Sequence, residues 1–501
     1  MITLAISAAV AIFLLIVTRL LAGDPAPTKK SLKHIPELRF EKHDTEERYV
    51  SESRNLLLRG YDKYLRHGIP FQMRNPVPEL GPQVFLPLKY LDEVKTAPTS
   101  LFSFEVFSEK LFLLNYSDGP QQTKGAAHVI RVDLNRNLGK LATGMYNEAI
   151  AAWDAKVASG DWTTFPAYEA LSSVATQVNS YALVGSSLCR NPQWIQISLQ
   201  CVVIVFAAAK AIRDNYTPRW RWLARWQSDA PAQLRTMRVQ AVDLLTPLYD
   251  ERKDALKNKS IQDSSTYLDS VNWLLQLKSS DTSIEKVADQ ELFLAIASTH
   301  TTSSTLTSVL FDLLAHPEYQ EELRAEAKEA LEECSGEWTL QRLARMKKLD
   351  SFMKESNRLN PIGFIAGQRI AVKAHTFKDG LHLPAGTVFQ FAADAVHHDA
   401  AYYPDPYKFD AKRFLRMREA VDPNRFHFAS VSDTSLSFGA GTHACPGRFL
   451  TTITIKVILV VLLTKYEVKL GGDNDRRPAN LFHHFNLRPD PTTSIMVRRT
   501  T

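Results

Sequence analysis

Cysteine is scarce in this sequence, and so are the patterns that usually explain its presence. The chain has four cysteines in 501 residues, at Cys189, Cys201, Cys334 and Cys445. Their wide spacing excludes a disulfide framework and a zinc-binding pattern, and it favours a reducing compartment. Lysine and arginine form no dense block, and the net charge of +6 is modest. We therefore expect no nucleic acid partner, and a membrane surface or an acidic protein instead.

Repeats and internal linkers are missing as well. No period of about 20 to 50 residues is apparent, which argues against a solenoid or a propeller. No low-complexity segment divides the chain after residue 45, and no fingerprint for a flavin or a nicotinamide follows a predicted strand. The sequence therefore indicates one large body without its own dinucleotide-binding module.

Charge is absent from the N-terminal segment between Ile2 and Thr18, and after Arg19 the apolar run continues to Ala22. About 20 such residues can span a bilayer core. A cleaved signal peptide is the alternative, but it usually has a positive start and a shorter apolar stretch. Four basic residues follow the segment, which places the rest of the chain in the cytosol; they are Lys29, Lys30, Lys33 and Arg39. We predict a single-pass membrane anchor at residues 1–22, a polar linker at 23–45 and a body at 46–501, with the endoplasmic reticulum as the location.

Helical spacing dominates the body up to about residue 360. One long helix is predicted to start at Thr282, where Thr282 and Glu285 form a capping box, and to stop at His316–Pro317. The following segment alternates and turns at Asp379–Gly380 and at Pro384–Gly386, which predicts short strands, and the C-terminus predicts another. The expected fold is mainly α with a minor β region.

The stretch FGAGTHACPGRF, residues 438–449, combines three glycines, a proline and Cys445. Pro446 predicts the first position of a helix with Cys445 at its N-cap, where the helix dipole favours a thiolate. Gly439 and Gly441 have no side chain, so a flat ligand can lie against the backbone. A thiolate with an open, planar approach suits haem iron. The alternative is a structural turn with a buried, inert cysteine.

These residues resemble the haem-binding loop of the cytochrome P450 family, and the resemblance extends over the chain after the anchor. Phe438, Gly441, Cys445 and Gly447 match the loop, and His443 stands where the family usually has an arginine that contacts a haem propionate. The resemblance implies a P450-like helical fold and a haem b held by Cys445.

Two further stretches extend the resemblance to a buried charged triad. Glu355 and Arg358 match the Glu-x-x-Arg of the family, and Arg413 lies in a downstream segment similar to the family's Pro-x-x-Phe-x-Pro-x-Arg-Phe. The implied role is structural, since the triad would support the haem-side loop. Glu321 and Arg324 have the same Glu-x-x-Arg form, and we interpret them as a surface pair.

The predicted long helix carries ASTHTT, residues 297–302, which resembles the family's oxygen-side motif. Thr301 matches the threonine whose hydroxyl assists proton delivery during oxygen activation. Ser298 replaces the usual glycine, and His300 replaces the usual acid. An imidazole can relay protons near neutral pH, so His300 is a second catalytic candidate. The alternative is a plain serine and threonine patch.

Other candidates for the haem and the substrate follow from the same resemblance. The stretch HVIRVDLNRNL, residues 128–138, places Arg131 at the propionate position and makes His128 a weaker candidate, with a surface arginine as the alternative. The residues expected to line the substrate site are Phe293, Ala297, Ile362, Phe364, Ile365 and Phe485.

The implied activity is a monooxygenase that inserts one oxygen atom from O2 into an apolar small molecule. Electrons would come from NADPH through a separate cytochrome P450 reductase. His300, THACPGRF and SSLCRNPQWIQIS together look most like fungal members that oxidise terpenoids and related secondary metabolites. Two alternatives stay open: a haem-thiolate isomerase or peroxygenase that needs no reductase, and a haem-binding sensor without catalysis.

A second membrane contact is predicted at residues 212–227, where Trp220, Trp222 and Trp226 alternate with arginines. Tryptophan and arginine together suit the headgroup region of a bilayer. The alternative is an ordinary helix with its tryptophans in the core and its arginines in water.

Overall fold

The structure, a computed structural model, describes residues 32–121, 124–158, 160–257, 267–277, 282–334, 336–472 and 476–500. The predicted anchor, residues 1–22, lies outside this part of the chain, as does the first part of the predicted linker. The second part of that linker packs on the body: Gln72 Nε2 donates to the carbonyl oxygens of Leu32 and Ile35 at 3.0 and 2.7 Å.

Helices make up most of the described chain. They are α1 (Glu46–Lys63), α2 (Leu91–Thr96), α3 (Phe104–Phe112), α4 (Leu114–Ser117), α5 (Lys124–His128), α6 (Asn135–Asp154), α7 (Ala167–Leu188), α8 (Pro192–Asn215), α9 (Ala224–Gln227), α10 (Asp229–Lys257), α11 (Ser270–Gln276), α12 (Ile284–Ala315), α13 (Pro317–Cys334), α14 (Leu340–Arg345), α15 (Lys347–Leu359), α16 (Ala393–His397), α17 (Arg413–Ala420) and α18 (Arg448–Lys465). A π-helical segment, Val129–Leu134, joins α5 to α6.

The strands form small sheets at the side of the helical body. They are β1 (Phe71–Met73), β2 (Gln83–Phe85), β3 (Phe102–Ser103), β4 (Thr163–Pro166), β5 (Ala366–Ala371), β6 (His375–Thr376), β7 (His382–Leu383), β8 (Val388–Phe391), β9 (Tyr466–Leu470), β10 (Asn480–His483), β11 (Asn486–Pro489) and β12 (Ser494–Arg499). The largest sheet has the order β1-β2-β8-β5-β3, a second has the order β4-β12-β9, and β6-β7 and β10-β11 are separate pairs.

The predicted β region is confirmed. The alternating segment after residue 360 forms β5 to β8, and Gly380 and Gly386 have φ angles of +90° and +83°, which favour glycine. The predicted C-terminal strand is β12, which pairs antiparallel with β4 and β9. Alternating burial is clear in β12, whereas β8 is buried at all four positions, so there the preceding turn at Gly386 indicated the strand.

Helix α12 crosses the body and packs against α7, α8 and α10. Its side chains Leu306, Val309, Leu310 and Phe311 are buried in the main core. The helix starts at Ile284 after Ser283, so the predicted cap at Thr282 is wrong by one residue. It stops as predicted, because His316 precedes Pro317, which opens α13.

Helix α8 is the one helix in the described part of the chain that is long and apolar enough to cross a membrane, by length and composition only. One face of it is buried against the body through Trp194, Ile197 and Val205. Its other face exposes Val203 and Phe206. The burial of one face identifies α8 as an element of the helical body.

A carboxyl group is buried in the first half of α12. Glu291 is fully buried, and the Ser270 hydroxyl donates to its Oε1 at 2.5 Å. Burial raises the pKa of Glu291 to about 8. The negative charge of the nearby Asp269 contributes to this rise, and the hydrogen bond from Ser270 opposes it in part. Glu291 is therefore neutral in the folded protein over a range in which it is ionised in the unfolded chain.

We expect Glu291→Gln to change how stability depends on pH. The folded state binds a proton that the unfolded state has lost between the ordinary pKa of 4.5 and about 8, so the wild-type free energy of unfolding falls as pH rises through this window. Glutamine does not titrate, so the variant should gain unfolding temperature relative to wild type from pH 5 to pH 8. Thermal unfolding across this series measures it.

Glu285→Gln, an exposed change in the first turn of the same helix, is the matched control and should follow the wild-type curve. Parallel curves for Glu291→Gln and wild type would contradict the buried neutral carboxyl.

Candidate active site

The loop around Cys445 is held by its own backbone. The Cys445 N–H donates to the Phe438 carbonyl oxygen at 2.8 Å, and the Gly439 N–H donates to the Leu436 carbonyl oxygen at 2.8 Å. Gly439 has a φ angle of +75°, which makes glycine the favoured residue at this turn. Cys445 is exposed, whereas the other three cysteines are buried. Of the four thiols, only Cys445 is therefore open to a large ligand.

The predicted helix start at Cys445 is wrong. Helix α18 begins at Arg448, and its first backbone hydrogen bond joins the Thr451 N–H to the Gly447 carbonyl oxygen at 2.9 Å. Although the residue as a whole is exposed, the protein atoms that crowd its sulfur raise the pKa of the Cys445 thiol. The Gly447 and Arg448 amides and the Arg448 guanidinium oppose this rise without reversing it. The Cys445 thiol would therefore lose its proton when a metal ion binds to the sulfur, and not before.

Gly441 allows the cysteine loop to pack closely against a neighbouring segment of the chain. A Cβ on Gly441 would lie 2.5 Å from the Lys95 carbonyl oxygen, so this residue allows the loop to approach the end of α2. His443 strengthens the same contact, with its Nε2 2.7 Å from the Ala97 carbonyl oxygen. The role of Gly441 beside a flat ligand stays a prediction, and the structure adds this close backbone contact to it. A Cβ on Gly447 would lie 4.0 Å from Cys445 Sγ, so Gly447 keeps one side of the sulfur clear.

The oxygen-side motif lies on the part of α12 that contacts α18. Ala297 and Thr301 are exposed one turn apart, although Thr299 and Thr302 beside them are buried. The Thr301 hydroxyl donates to the Ala297 carbonyl oxygen at 2.7 Å, and Thr302 Oγ1 lies 3.3 Å from Thr451 Oγ1. The structure therefore places Thr301 on a helix that contacts α18, which begins three residues after Cys445. Thr301 itself is turned to an open face of an otherwise buried helix.

His300 does not stand alone on α12. Its Nδ1 lies 2.6 Å from the Tyr168 hydroxyl oxygen, and its ring is partly buried. Burial lowers the pKa of His300, and the positive charge of Arg488 on β11 lowers it further. The imidazole is therefore mainly neutral at neutral pH. Tyr168, at the start of α7, was missed in the sequence because the contact joins residues far apart in the chain.

Uncompensated positive charge gathers beside the cysteine loop. Asn135 Nδ2 donates to the carbonyl oxygens of Arg131 and Pro446 at 3.2 and 3.4 Å, which ties the Arg131 segment to the loop. Burial lowers the pKa of Arg448, and the effect of Cys445 opposes this change. The positive charge of Arg131 also lowers the pKa of Arg448, which shows that the two arginines are neighbours. His128 lies apart, at an exposed position 3.9 Å from Asp133. Arg131 is thus placed to meet an anionic group of a ligand at the loop, and His128 is not.

Arg369 on β5 is a further cation that the sequence analysis missed. It is buried, and burial lowers its pKa to about 10. Its described contacts are the Gln368 carbonyl oxygen at 2.6 Å and the Phe104 ring at 5.5 Å, neither of which is a carboxylate. A buried guanidinium in such surroundings is a candidate partner for an anion. The signal available in the sequence was an arginine inside an apolar strand.

The structure brings the three residues of the predicted triad together. Glu355 accepts from Arg358 Nε and Nη2 at 2.8 Å each, and from Arg413 Nε at 3.1 and 3.2 Å. The remaining N–H groups of both arginines reach carbonyl oxygens, including that of His397. Satisfied hydrogen bonds offset part of the cost of burying these charges. The alternative pair is on the surface, since Arg324 Nε lies 3.6 Å from Glu321, whose side chain is 86% exposed.

A chain of hydrogen bonds connects this triad to the cysteine. Arg358 Nη1 donates to the His397 carbonyl oxygen at 2.7 Å, and the Leu436 N–H donates to His397 Nε2 at 3.2 Å. The Leu436 carbonyl then accepts from Gly439, in the turn that positions Cys445. Burial lowers the pKa of His397 to about 3, so the ring stays neutral and can keep accepting. The sequence analysis missed His397.

The predicted substrate-lining residues separate into two groups. The Phe364 N–H donates to the Phe485 carbonyl oxygen at 2.8 Å, so these two stretches meet as expected. Both phenylalanine side chains are buried in a core cluster with Phe85, and their predicted place in the substrate site stays a prediction. Phe293, Ile362 and Ile365 are partly buried and Ala297 is exposed. We therefore keep these four as lining candidates.

The residues present fit a haem group. An exposed thiol on a rigid loop can hold iron, Gly447 leaves space beside the sulfur, and Arg131 offers positive charge to carboxylates. Haem would supply a metal that activates oxygen. The donor set therefore agrees with the chemistry that the loop resemblance implies.

Comparison with known proteins gives the same class. Residues 106–496 match the sequence profile of the family described as Cytochrome P450. The chain is 62% identical over 481 residues to the cytochrome P450 monooxygenase ccsG of Aspergillus clavatus, covering 96% of this chain and 95% of that protein. It is 50% identical over 483 residues to the cytochrome P450 monooxygenase CYP3 of Pyricularia oryzae (90% and 94%) and 46% identical over 490 residues to pyrichalasin C-7 hydroxylase of Pyricularia grisea (97% and 96%).

The chain therefore belongs to the cytochrome P450 family. It is an oxidoreductase of the monooxygenase type, and the family uses haem b with electrons from a reductase partner. These findings confirm the predicted family, enzyme class and cofactor.

We expect Glu355→Ala to destabilise the body strongly. The change leaves the guanidinium groups of Arg358 and Arg413 buried without their carboxylate, and breaking a buried pair costs about 3–5 kcal/mol. Denaturant unfolding and haem content per protein measure the effect, and both should fall.

Glu321→Ala removes the carboxylate of the other Glu-x-x-Arg and is the matched control. Its free energy of unfolding should stay within about 1 kcal/mol of wild type because surface pairs contribute little, and its haem content should be unchanged. Equal losses in the two variants would show that the buried triad has no special role.

Proposed function

We propose that this protein is a haem-thiolate monooxygenase that inserts one oxygen atom from O2 into an apolar secondary metabolite. The observation that carries the proposal is the exposed Cys445 on a loop connected to a buried triad, beside the open Ala297–Thr301 face of α12. Membership of the cytochrome P450 family gives the reaction class.

Each residue of the site has a role that its geometry supports. Cys445 would hold the haem iron, and Arg131 and Arg369 are the cations available to the propionates. Haem, when bound, supplies oxygen activation. The Thr301 hydroxyl donates a hydrogen bond to the Ala297 carbonyl oxygen, so its oxygen lone pairs can accept a hydrogen bond from a donor on the open face. His300 is a neutral imidazole one residue away and is the candidate that passes protons toward Thr301.

The substrate is proposed as an apolar product of a fungal biosynthetic pathway. The lining candidates Phe293, Ala297, Ile362 and Ile365 offer apolar surface. One relative is named for hydroxylation at C-7 of pyrichalasin, so hydroxylation at carbon is the first reaction to test. Terpenoids are the substrate class that the sequence resemblance suggested. A substrate screen should therefore contain terpenoids as well as compounds similar to pyrichalasin.

The electron donor is proposed as an NADPH-dependent cytochrome P450 reductase. The isomerase, peroxygenase and sensor alternatives have less support, because the similar proteins are named monooxygenases or a hydroxylase. Dependence of product formation on NADPH and reductase separates the three classes.

We expect Cys445→Ala to abolish the carbon monoxide difference band of a thiolate-bound ferrous haem, because the other thiols are buried. Wild type with reductase and NADPH should incorporate one labelled oxygen atom from dioxygen into product, as mass spectrometry measures, and the variant should not. Cys189→Ala removes a buried thiol and should retain both properties. A thiolate band that persists in Cys445→Ala would overturn the assignment.

The segment with alternating tryptophan and arginine supports membrane contact. Trp220, Trp222 and Trp226 are 50%, 46% and 69% exposed, beside Val203 and Phe206 on α8, which are also exposed. We call these five side chains the tryptophan patch. The ordinary-helix alternative required the tryptophans to be in the core, and they are not.

The arginines between the tryptophans turn toward the protein. Arg221 is buried and pairs with Glu79, which also accepts from Arg213 at 2.8 Å. Arg225 pairs with Asp118 at 2.9 Å. Arg219 is exposed against the Trp220 ring, and the Arg225 side chain is still half-exposed, so the outer surface combines apolar rings with positive charge. We propose that it enters the headgroup region of a lipid bilayer.

We expect a variant without residues 1–22 to sediment with vesicles that contain anionic phospholipid, because the exposed surface combines tryptophan rings with the exposed cation of Arg219. Replacing Trp220, Trp222 and Trp226 with serine should release it while the haem spectrum stays unchanged. Trp162→Ser is the control, since Trp162 packs between Lys469 and Arg498 elsewhere on the surface. A truncated protein that never sediments would contradict the second membrane contact.

A further inference from the structure

The pair of Tyr168 and His300 joins α7 to α12 beside the oxygen-side motif. Tyr168 Oη lies 2.6 Å from His300 Nδ1, within the range of a strong hydrogen bond. Burial raises the pKa of Tyr168, so its hydroxyl keeps its proton and donates to the neutral imidazole. The ring proton of His300 then sits on Nε2.

Two buried hydroxyl groups surround the same tyrosine. Ser172 on α7 and Ser304 on α12 are 5% and 2% exposed, and neither Oγ has a hydrogen-bond partner in the described part of the chain. Both nevertheless lie near enough to Tyr168 to lower its pKa against the effect of burial. Unsatisfied buried hydroxyls are uncommon and need a reason.

The charged group that acts on this pair is Arg488 on β11, which is exposed. Its positive charge lowers the pKa of both His300 and Tyr168. Burial and Arg488 therefore both oppose a proton on His300. A protonated ring at this position needs an acceptor for Nδ1–H, and Tyr168 Oη is the atom within reach.

We propose that Tyr168 is a positioning residue that lets His300 take up and release a proton. Its hydroxyl donates to Nδ1 of the neutral ring and accepts from Nδ1–H of the protonated ring. In the second state the tyrosine turns its own proton toward Ser172 or Ser304, which gives those hydroxyls their partner. The extra proton comes from water and leaves to water or toward Thr301, and Tyr168 keeps its proton throughout.

This inference rests on the proposed function, because it assigns a partner to the histidine proposed to pass protons toward Thr301. It also explains how a histidine can replace an acid at this position of α12. The positive charge of Arg488 would favour the charged form of an acid at this position but opposes a charged imidazole, which therefore needs a neutral acceptor that can change its hydrogen bond.

The test is Tyr168→Phe in the full-length haem-loaded protein. The pH dependence of hydrogen–deuterium exchange at His300 Cε1, followed by mass spectrometry, measures the pKa of this ring without turnover. We expect the midpoint to fall by about 1 pH unit, because the variant loses a stronger hydrogen bond to the charged ring than to the neutral one. Product formed per NADPH, measured against pH, should move in the same direction.

Tyr181→Phe is the matched control, since it makes the same change on the same helix at a ring that packs against Gly144. It should leave the exchange midpoint and the coupling profile at wild-type values. Ser304→Ala should lower the midpoint less than Tyr168→Phe, because Ser172 can still accept from the tyrosine.

Two outcomes would overturn the proposal. An unchanged His300 midpoint in Tyr168→Phe would show that the hydroxyl does not support the protonated ring. A lowered midpoint with a wild-type coupling profile would show that the pair has no part in proton delivery. Absence of NADPH-dependent product in wild type would instead count against the proposed function, and the exchange measurement would still decide on the pair.

Discussion

One carboxylate connects the helical body to the haem-side loop. Glu355 accepts hydrogen bonds from Arg358 and Arg413, and these arginines use their remaining N–H groups to hold carbonyl oxygens of the segments around residues 397 and 404–408. His397 then carries the connection to Leu436 and to the turn at Gly439. Two positive charges share one negative charge here, so the geometry tolerates little change. The turn that positions Cys445 is therefore connected to this arrangement as well as to the backbone hydrogen bonds of the loop itself.

Much of the fold could be predicted from the sequence, because it depends on local patterns. The long helix α12 and the strands β5 to β8 followed from periodicity, glycine turns and a proline stop. Errors occurred where a local rule competed with tertiary structure. Pro446 suggested a helix start, but the turn around Gly447 delays α18 to Arg448. Phe364 and Phe485 are large and apolar, and the structure places both in a core cluster, so burial alone does not separate a substrate wall from packing.

The site was predictable only in part, for a related reason. Cys445, Thr301 and Glu355 stand in motifs, so their spacing along the chain carries information. Tyr168 and His397 act through contacts with residues far away in the sequence, and no local pattern marks them. Arg369 had a local signal, an arginine inside an apolar strand, but its burial needed the structure. The glycine at 441 was singled out correctly, but its reason, a close approach to the Lys95 backbone, needed the structure.

Glu79 joins the two segments of the chain that form the tryptophan patch. Burial opposes ionisation of this carboxyl, yet hydrogen bonds from Arg221 and Arg213 outweigh it, and its pKa lies below the ordinary value. Both arginines border the patch, so a single charge fastens the end of α8 and the segment that carries Trp220 and Trp222. Coulomb attraction strengthens as water is displaced. A lipid surface that covers the patch would therefore strengthen the ion pairs of Glu79 and make the patch more rigid. A membrane-binding loop without such ion pairs would not gain rigidity in this way.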